Sequence, residues 1–365
     1  METLFKNICE EMVQKGHSVN VLTWNPQRGV PSFQYHNGVA INRVSSVIGR
    51  YGFPLFGIPE ALRLARGMDI IHAATFSSAP LAWIASRMYR IPIILTIPEV
   101  WIGRWRQYTS YSPLKSFIHD ILERLIFTLP YDHYVGISNS TSERLRQILP
   151  RKSVSTIYCG FSAEIWKSRI IPTMIESVRR SYGIADSDYL VFAWGRPGAS
   201  KGFECLVESF PRILKNIPNA KMLIALNDAP EYFEQRSRII AKSHEKITFI
   251  PSLPLHDLID IAHSSDCIVV PSLTEGFGYT TLEAVSTGVP VVASNTTSIP
   301  EVIGGKYLLF DVNNYDSLAD NVVLAQQNKY NNVPIKSFPW SRTISLYQQA
   351  YFDLIDKRAN QKNVD

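Results

Sequence analysis

Apolar side chains recur along this chain in two alternating rhythms. Over residues 3–15 they fall at Leu4, Phe5, Ile8, Cys9 and Met12, the spacing of one helical face, and Gly16 follows where a helix would close. A short run then opens at Ser18, with Val19, Val21 and Leu22 leading to Asn25-Pro26, and residues 70–72 and 92–96 read as further short buried strands between helical stretches. The second half repeats the alternation more clearly, with strands predicted over 189–194, 222–226, 247–250, 267–270 and 289–293. Between the first two, residues 201–215 bring Phe203, Leu206, Val207, Phe210, Ile213 and Leu214 to one side and predict an amphipathic helix that tolerates Pro211. After Pro339, residues 340–358 have helical character and lead into a charged tail expected to fray. Alternating strands and helices imply an α/β fold with parallel sheets covered by helices. The chain nevertheless opens on a helix, where a nucleotide-binding α/β domain ordinarily opens on a strand.

The 365 residues, 45% of them hydrophobic, suffice for two separate cores, and the predicted boundary lies near residues 158–170. No apolar run approaches the roughly 18 residues that cross a bilayer, and the N-terminus lacks the regions of a signal peptide, so a soluble, cytoplasmic protein is expected. The four cysteines, Cys9, Cys159, Cys205 and Cys267, lack CxxC spacing and sit beside apolar residues, which predicts neither disulfides nor a zinc site. Charge divides unevenly. Residues 1–150 hold 15 Lys or Arg against 10 Asp or Glu, whereas residues 151–365 hold 22 of each. A basic first half suits an acidic acceptor or an anionic membrane surface, or is simply a solvated face. Without a basic stripe or a recognised motif, nucleic acid is not an expected partner.

Candidate chemistry concentrates in Pro271-Ser272-Leu273-Thr274-Glu275-Gly276-Phe277-Gly278-Tyr279-Thr280-Thr281-Leu282-Glu283-Ala284, which follows an apolar strand and precedes a helix. Such a loop lies at the carboxyl edge of the sheet, where open α/β folds bind ligands, and Gly276 and Gly278 let backbone N–H groups approach an anion at the helix start. Diphosphate is the natural candidate. Glu275 and Glu283 place one carboxylate in the loop and another inside the helix, two acceptors suited to sugar hydroxyls. The same letters also fit a capping box between Thr280 and Glu283, although capping alone requires neither glycine nor Glu275.

The segment EGFGYTTLEA, followed by STGVPVVAS and IPEVIGG, resembles the signature of retaining glycosyltransferases of family four, which have the GT-B fold. Upstream, Gly195-Arg196 and Lys201-Gly202 look like that family's paired cations. The resemblance covers most of residues 1–358, strongly in the second half. It implies two Rossmann-like α/β domains facing across a cleft: an acceptor-side domain over 1–160, a nucleotide-sugar-binding domain over 161–340, and a C-terminal helix over 341–365 packing back toward the first. By the same resemblance, Arg196 and Lys201 hold the donor diphosphate, Glu283 holds the nucleotide ribose and Glu275 touches the transferred sugar. The donor site then comprises Arg196, Lys201, Glu275, Gly276, Phe277, Gly278, Tyr279, Thr280 and Glu283, with Glu275, Arg196 and Lys201 carrying the chemistry. A leaving nucleoside diphosphate gathers negative charge, and each well-placed donor group can stabilise that charge by roughly 3 to 4 kcal/mol. Neither metal nor cofactor is then required.

Other motifs are weaker. Asp186-Ser187-Asp188 has metal-ligand spacing but precedes a strand, where a polar turn is expected. Lys201 is followed by Gly202 in place of the Ser or Thr that holds magnesium in a phosphate loop, and no GxGxxG follows a predicted strand, so an NTPase and a nicotinamide dehydrogenase are both disfavoured.

In the first half the resemblance loosens. Asp69-Ile70-Ile71-His72 looks like the family's strand-end motif, but Pro98 stands where many relatives carry a histidine, and the usual first strand with its glycine-rich loop is absent before Glu2. His72, Glu99 and Trp101 are the acceptor-side candidates, His72 alternatively being structural. From Trp101 to Phe117, aromatic and basic residues interleave (Trp101, Arg104, Trp105, Arg106, Tyr108, Tyr111, Lys115). That mixture suits peripheral contact with an anionic membrane carrying a lipid-linked acceptor, or a loop that turns its aromatics inward. The expected activity is metal-independent, retaining transfer of a sugar from a nucleotide-diphosphate donor to a glycan or lipid-linked acceptor. A non-catalytic nucleotide-sugar-binding subunit and a sugar-nucleotide epimerase are the alternatives.

Overall fold

The computed structural model describes residues 1–25, 29–167 and 172–362. The chain forms two compact units, one made of Met1–Gly103, Phe117–Gly160 and Phe338–Asp365, the other of Arg104–Ser116 and Phe161–Ser337.

The first unit opens on helix α1 (Glu2–Gln14), which buries Leu4, Ile8 and Met12 as its spacing predicts, and Gly16 beyond it adopts φ +87°. Its strands are β1 (Asn20–Trp24), β2 (Phe33–His36), β3 (Val39–Val44), β4 (Ile71–Ala74), β5 (Ile93–Ile97), β6 (His133–Gly136) and β7 (Val154–Thr156). They form two sheets. One has the order β1-β3-β2, with an antiparallel β2–β3 hairpin, and the other is a parallel β4-β5-β6-β7. Helices α2 (Ile58–Ala65), α3 (Ala79–Tyr89) and α4 (Pro113–Thr128, in this unit from Phe117 onward) cover them in part. Ile93, Leu95 and Ile97 on β5 reach one face and join Ala73, Phe127, Tyr134 and Leu145 in a core. The C-terminal helix, Trp340–Lys362, belongs to this unit and buries Ile344, Tyr347 and Tyr351. Helix therefore continues into the tail expected to fray, because those residues extend an anchored helix; residues 363–365 lie outside the described residues.

The second unit is a seven-stranded sheet of β8 (Tyr189–Gly195), β9 (Ala220–Leu226), β10 (Ile247–Ile250), β11 (Cys267–Val270), β12 (Val291–Ser294), β13 (Gly305–Phe310) and β14 (Asn331–Val333). The order is β10-β9-β8-β11-β12-β13-β14, parallel throughout except for β14. Both faces are covered, so the strands read as continuous apolar runs. Alternate residues of β8 serve different cores. Val191 and Ala193 pack with helices α5 (Phe203–Asn216) and α7 (Tyr315–Gln326), while Leu190, Phe192 and Trp194 face Ile268, Val291 and Ile299. Helix α6 (Tyr279–Ser286) follows β11. From β8 the sheet grows outward through β9 and β10, then restarts at β11 on β8's other side. That reversal makes the carboxyl ends of β8 and β11 the topological switch point, where open parallel sheets leave room for ligands. Among the described residues, no helix is long and apolar enough to cross a membrane.

Candidate active site

The loops after β8 and β11 meet at the switch point. β8 ends on Gly195, and the following turn carries Arg196 and Lys201 to Gly202, which adopts φ +67° at the start of α5. Glycine is required there twice over. The backbone is left-handed, and a Cβ would collide with the carbonyl oxygen of Pro271 in the facing loop. The two loops are also joined by the Leu273 N–H, which donates to the Ser200 carbonyl at 2.7 Å. Lys201 and the Pro271–Glu275 segment are thereby held in register by backbone alone.

Within that frame Lys201 Nζ donates to Glu275 Oε1 at 2.5 Å, and the Ser272 hydroxyl donates to the same oxygen at 2.8 Å. Glu275 is anchored at its main chain as well: its N–H donates to Thr297 Oγ1 at 2.8 Å, and Ser298 Oγ donates to its carbonyl at 2.9 Å. Thr296 Oγ1 holds the Leu273 carbonyl at 3.1 Å. Three consecutive hydroxyl residues after β12 thus clamp the β11 loop. Arg196, by contrast, is exposed.

Helix α6 begins at Tyr279, with Gly278 as its N-cap at φ +97° and no side chain capping it. The Thr280–Glu283 capping box is therefore not formed, because the left-handed glycine starts the helix ahead of Thr280. Glu283 instead accepts a hydrogen bond from Trp194 Nε1 at 3.3 Å, and Trp194 is held by stacking on Trp166 and Phe192. Withdrawal from water is the main reason the Glu283 carboxyl is pushed up to about 7; nearby Glu275 adds to the rise, while the Trp194 bond and Lys201 oppose it. Phe277 is buried edge-on against Tyr279, so its side chain packs the loop and only its backbone can face a ligand. Gly276 is buried, and Tyr279 and Thr280 are half-buried at the helix start. The structure thus gathers the donor-side candidates at one sheet edge. Sequence reasoning missed Trp194, Ser272 and the Thr296-Thr297-Ser298 clamp; the last lies between two segments of the signature, the only signal that could have found it.

The acceptor-side candidates lie in the first unit. His72 has both ring nitrogens engaged, Nδ1 with Tyr351 Oη at 2.6 Å and Nε2 with Thr96 Oγ1 at 2.7 Å, and burial pushes its pKa down to about 3. With both nitrogens occupied inside the first unit, its contacts fit the structural role that the sequence left as the alternative. Glu99 and Trp101 are half-buried, and the Trp101 N–H donates to Glu123 Oε1 at 2.9 Å. In the aromatic-basic segment, most of which belongs to the second unit, aromatic rings turn inward while Arg104, Arg106 and Lys115 stay exposed. Trp105 and Tyr108 are buried, Trp105 stacks on Tyr111, and Lys115 sits 3.8 Å over the Tyr111 ring. Asp188 closes the turn before β8 by accepting from the Ala185 N–H at 2.7 Å and pairs with Lys221 at 2.9 Å.

Comparison with known proteins bears on the whole chain. Residues 174–334 match the family described as Glycosyl transferases group 1, and residues 1–164 match Glycosyltransferase Family 4. A glycosyltransferase of Methanocaldococcus jannaschii is 28% identical over 315 residues, covering 82% of this chain and 77% of that protein. N-acetyl-alpha-D-glucosaminyl L-malate synthase of Bacillus anthracis is 22% identical over 378 residues, covering 97% and 93%. Among solved structures, sucrose-phosphate synthase from Thermosynechococcus elongatus superposes with a TM-score of 0.77 at 17% identity, covering 97% of this chain and 93% of that one. Anabaena HepE, solved in complex with UDP and glucose, gives 0.64 at 15% identity, covering 95% and 100%. With one family matched in each half and a two-unit Rossmann-like architecture of the GT-B type throughout, the chain belongs to the family-four, group 1 glycosyltransferases.

Proposed function

We propose that the chain transfers a sugar from a nucleoside-diphosphate sugar to a glycan or lipid-linked acceptor at an anionic membrane surface, with retention at the anomeric carbon and without metal. The observation that carries this reading is the switch-point site: Lys201 and Glu275 locked together, Arg196 exposed in the loop that carries Lys201, and an uncapped helix start at Gly278. The second unit binds the donor. Its diphosphate displaces Glu275 from Lys201, so that Arg196, Lys201 and the α6 amides stabilise the charge on the leaving group. Glu275, released from the pair and still held by Ser272, turns to the hydroxyls of the transferred sugar. Glu283 takes the ribose. The first unit presents the acceptor, with Glu99 and Trp101 as its polar and aromatic contacts.

In the transfer itself, the acceptor oxygen bonds to the anomeric carbon on the face from which the C–O bond to diphosphate breaks. The acceptor proton passes to a diphosphate oxygen, leaving a glycosylated acceptor and free nucleoside diphosphate. Glu275 acts as a positioning group, since Ser272 and the main-chain anchors from Thr297 and Ser298 still hold it after the ion pair is broken. The UDP complex of the HepE fold relative makes UDP-sugars the first donors to test.

Purified protein incubated with a panel of UDP-, GDP- and ADP-sugars is expected to release the corresponding diphosphate slowly even without acceptor. Lys201→Ala or Glu275→Gln should lower that rate by at least about a hundredfold with little change in melting temperature. Wild-type turnover in either variant removes the site assignment. Isomerised donor would identify an epimerase, and thermal stabilisation without turnover a binding subunit.

A further inference from the structure

Helix α4 is inverted relative to an ordinary surface helix. Phe117, Ile118, Ile121, Leu122 and Leu125 form one helical stripe, and each is between 40% (Ile121) and 62% (Phe117) exposed. Its carboxylates point the other way. Glu123 is fully buried and accepts the Trp101 N–H, while Asp120 accepts the Gly103 N–H and pairs with Arg124 at 2.7 Å. The stripe does not stand alone: Tyr51 meets His119 edge-on at 6.3 Å, bringing up the 47–56 segment, where Val47, Ile48, Leu55 and Phe56 are also exposed. A contiguous apolar face of this kind marks an interaction surface.

We infer that this face of the first unit, the α4 stripe with the 47–56 segment, is where the protein docks on an anionic lipid surface. The inference rests on the membrane part of the proposed function and gives it a location. Charge selects the occupant. On α4 the Asp120 carboxylate is neutralised by Arg124, Arg50 is exposed in the adjoining 47–56 segment, and residues 1–150 hold the entire net positive charge of the chain. A helix with such a face lies in the plane of an interface, with apolar side chains entering the acyl boundary and cations meeting phosphate headgroups. Of the aromatic-basic segment that the sequence pointed to, Trp105 and Tyr108 are buried, so the exposed apolar stripe begins with Phe117 on α4.

Flotation of the full chain with phosphatidylcholine vesicles, with and without added phosphatidylglycerol, tests this. Wild type is expected to float with the anionic vesicles and much less with the neutral ones. The double substitution Phe117→Ser with Leu125→Ser, at exposed positions, should lower partitioning by at least about tenfold. Arg50→Gln should lower it about fivefold on anionic vesicles only. Both variants should bind nucleoside diphosphate as wild type does, which separates this surface from the donor site. A polarity-sensitive fluorophore on Ile121→Cys should shift to the blue when anionic vesicles are added. Wild type that floats with neither vesicle, a double variant that floats as wild type, or an unshifted fluorophore overturns the inference. So does a wild-type dimer that the double substitution dissociates, which would assign the face to a second copy of the chain.

Discussion

Glu283 shows how a residue's meaning changes with its surroundings. In the sequence it is half of a Glu-x7-Glu spacing or half of a capping box; in the structure burial pushes its carboxyl up to about 7, against the opposing pull of the Trp194 hydrogen bond. Its folded pKa is raised, so the native state holds the proton more tightly than the unfolded chain. Its contribution to stability is complete below the ordinary glutamate range and is lost as pH rises through about 7. Glu283→Gln should therefore raise the melting temperature more at about pH 8 than at about pH 5. An equal gain at both would mean that burial does not govern this group. If the ionised form accepts ribose hydroxyls, donor binding also ejects the proton. Calorimetry at about pH 6 in buffers of different ionisation enthalpy should then find close to one proton released per nucleoside diphosphate bound, and none in the Gln variant.

At the scale of elements, the proposed donor site depends on how closely two loops approach. Gly202 and Gly183 share nearly the same left-handed backbone, φ +67° and +69°, but a Cβ on Gly183 meets open space while one on Gly202 meets the Pro271 carbonyl. Gly183→Ala should cost about 1 kcal/mol of stability and leave nucleotide affinity intact. Gly202→Ala should cost more and weaken nucleoside diphosphate binding by about tenfold or more, because the β11 loop has to move away from Lys201. Equal affinities for the two variants, read by calorimetry, would show that the close approach has no part in binding. Element by element, the buried strands of the second unit were legible because a parallel sheet covered on both faces writes continuous apolar runs. The β2–β3 hairpin was passed over although Asn37-Gly38, both at positive φ, form its turn; β2 is mostly exposed, and β3 buries neighbouring Val39 and Ala40 without a clean alternation.

For the whole molecule, chain order and spatial order differ. The C-terminal helix returns to the first unit, where the Tyr351 hydroxyl meets His72 and Tyr347 contacts Thr96 across separations of 279 and 251 residues. Tyr351→Phe removes the partner of a buried ring nitrogen at a cost of about 1–3 kcal/mol. Amides of α1 and the C-terminal helix should consequently exchange hydrogen faster by roughly fivefold to a hundredfold, while β8–β12 stay as protected as in wild type. Acceleration spread evenly over both units would contradict such a local role. The sequence by itself determined the α/β class, the buried strands of the second unit and the segment holding Glu275 and Glu283, because apolar periodicity and glycine placement are local and survive without three-dimensional context. Only the tertiary structure decided that Glu275 is paired with Lys201, that Glu283 is held by Trp194 and not by a helix cap, that His72 is consumed by packing, and that α4 turns its apolar side outward. Those outcomes depend on which groups long-range folding brings within hydrogen-bonding distance or leaves in water, and no local spacing encodes them.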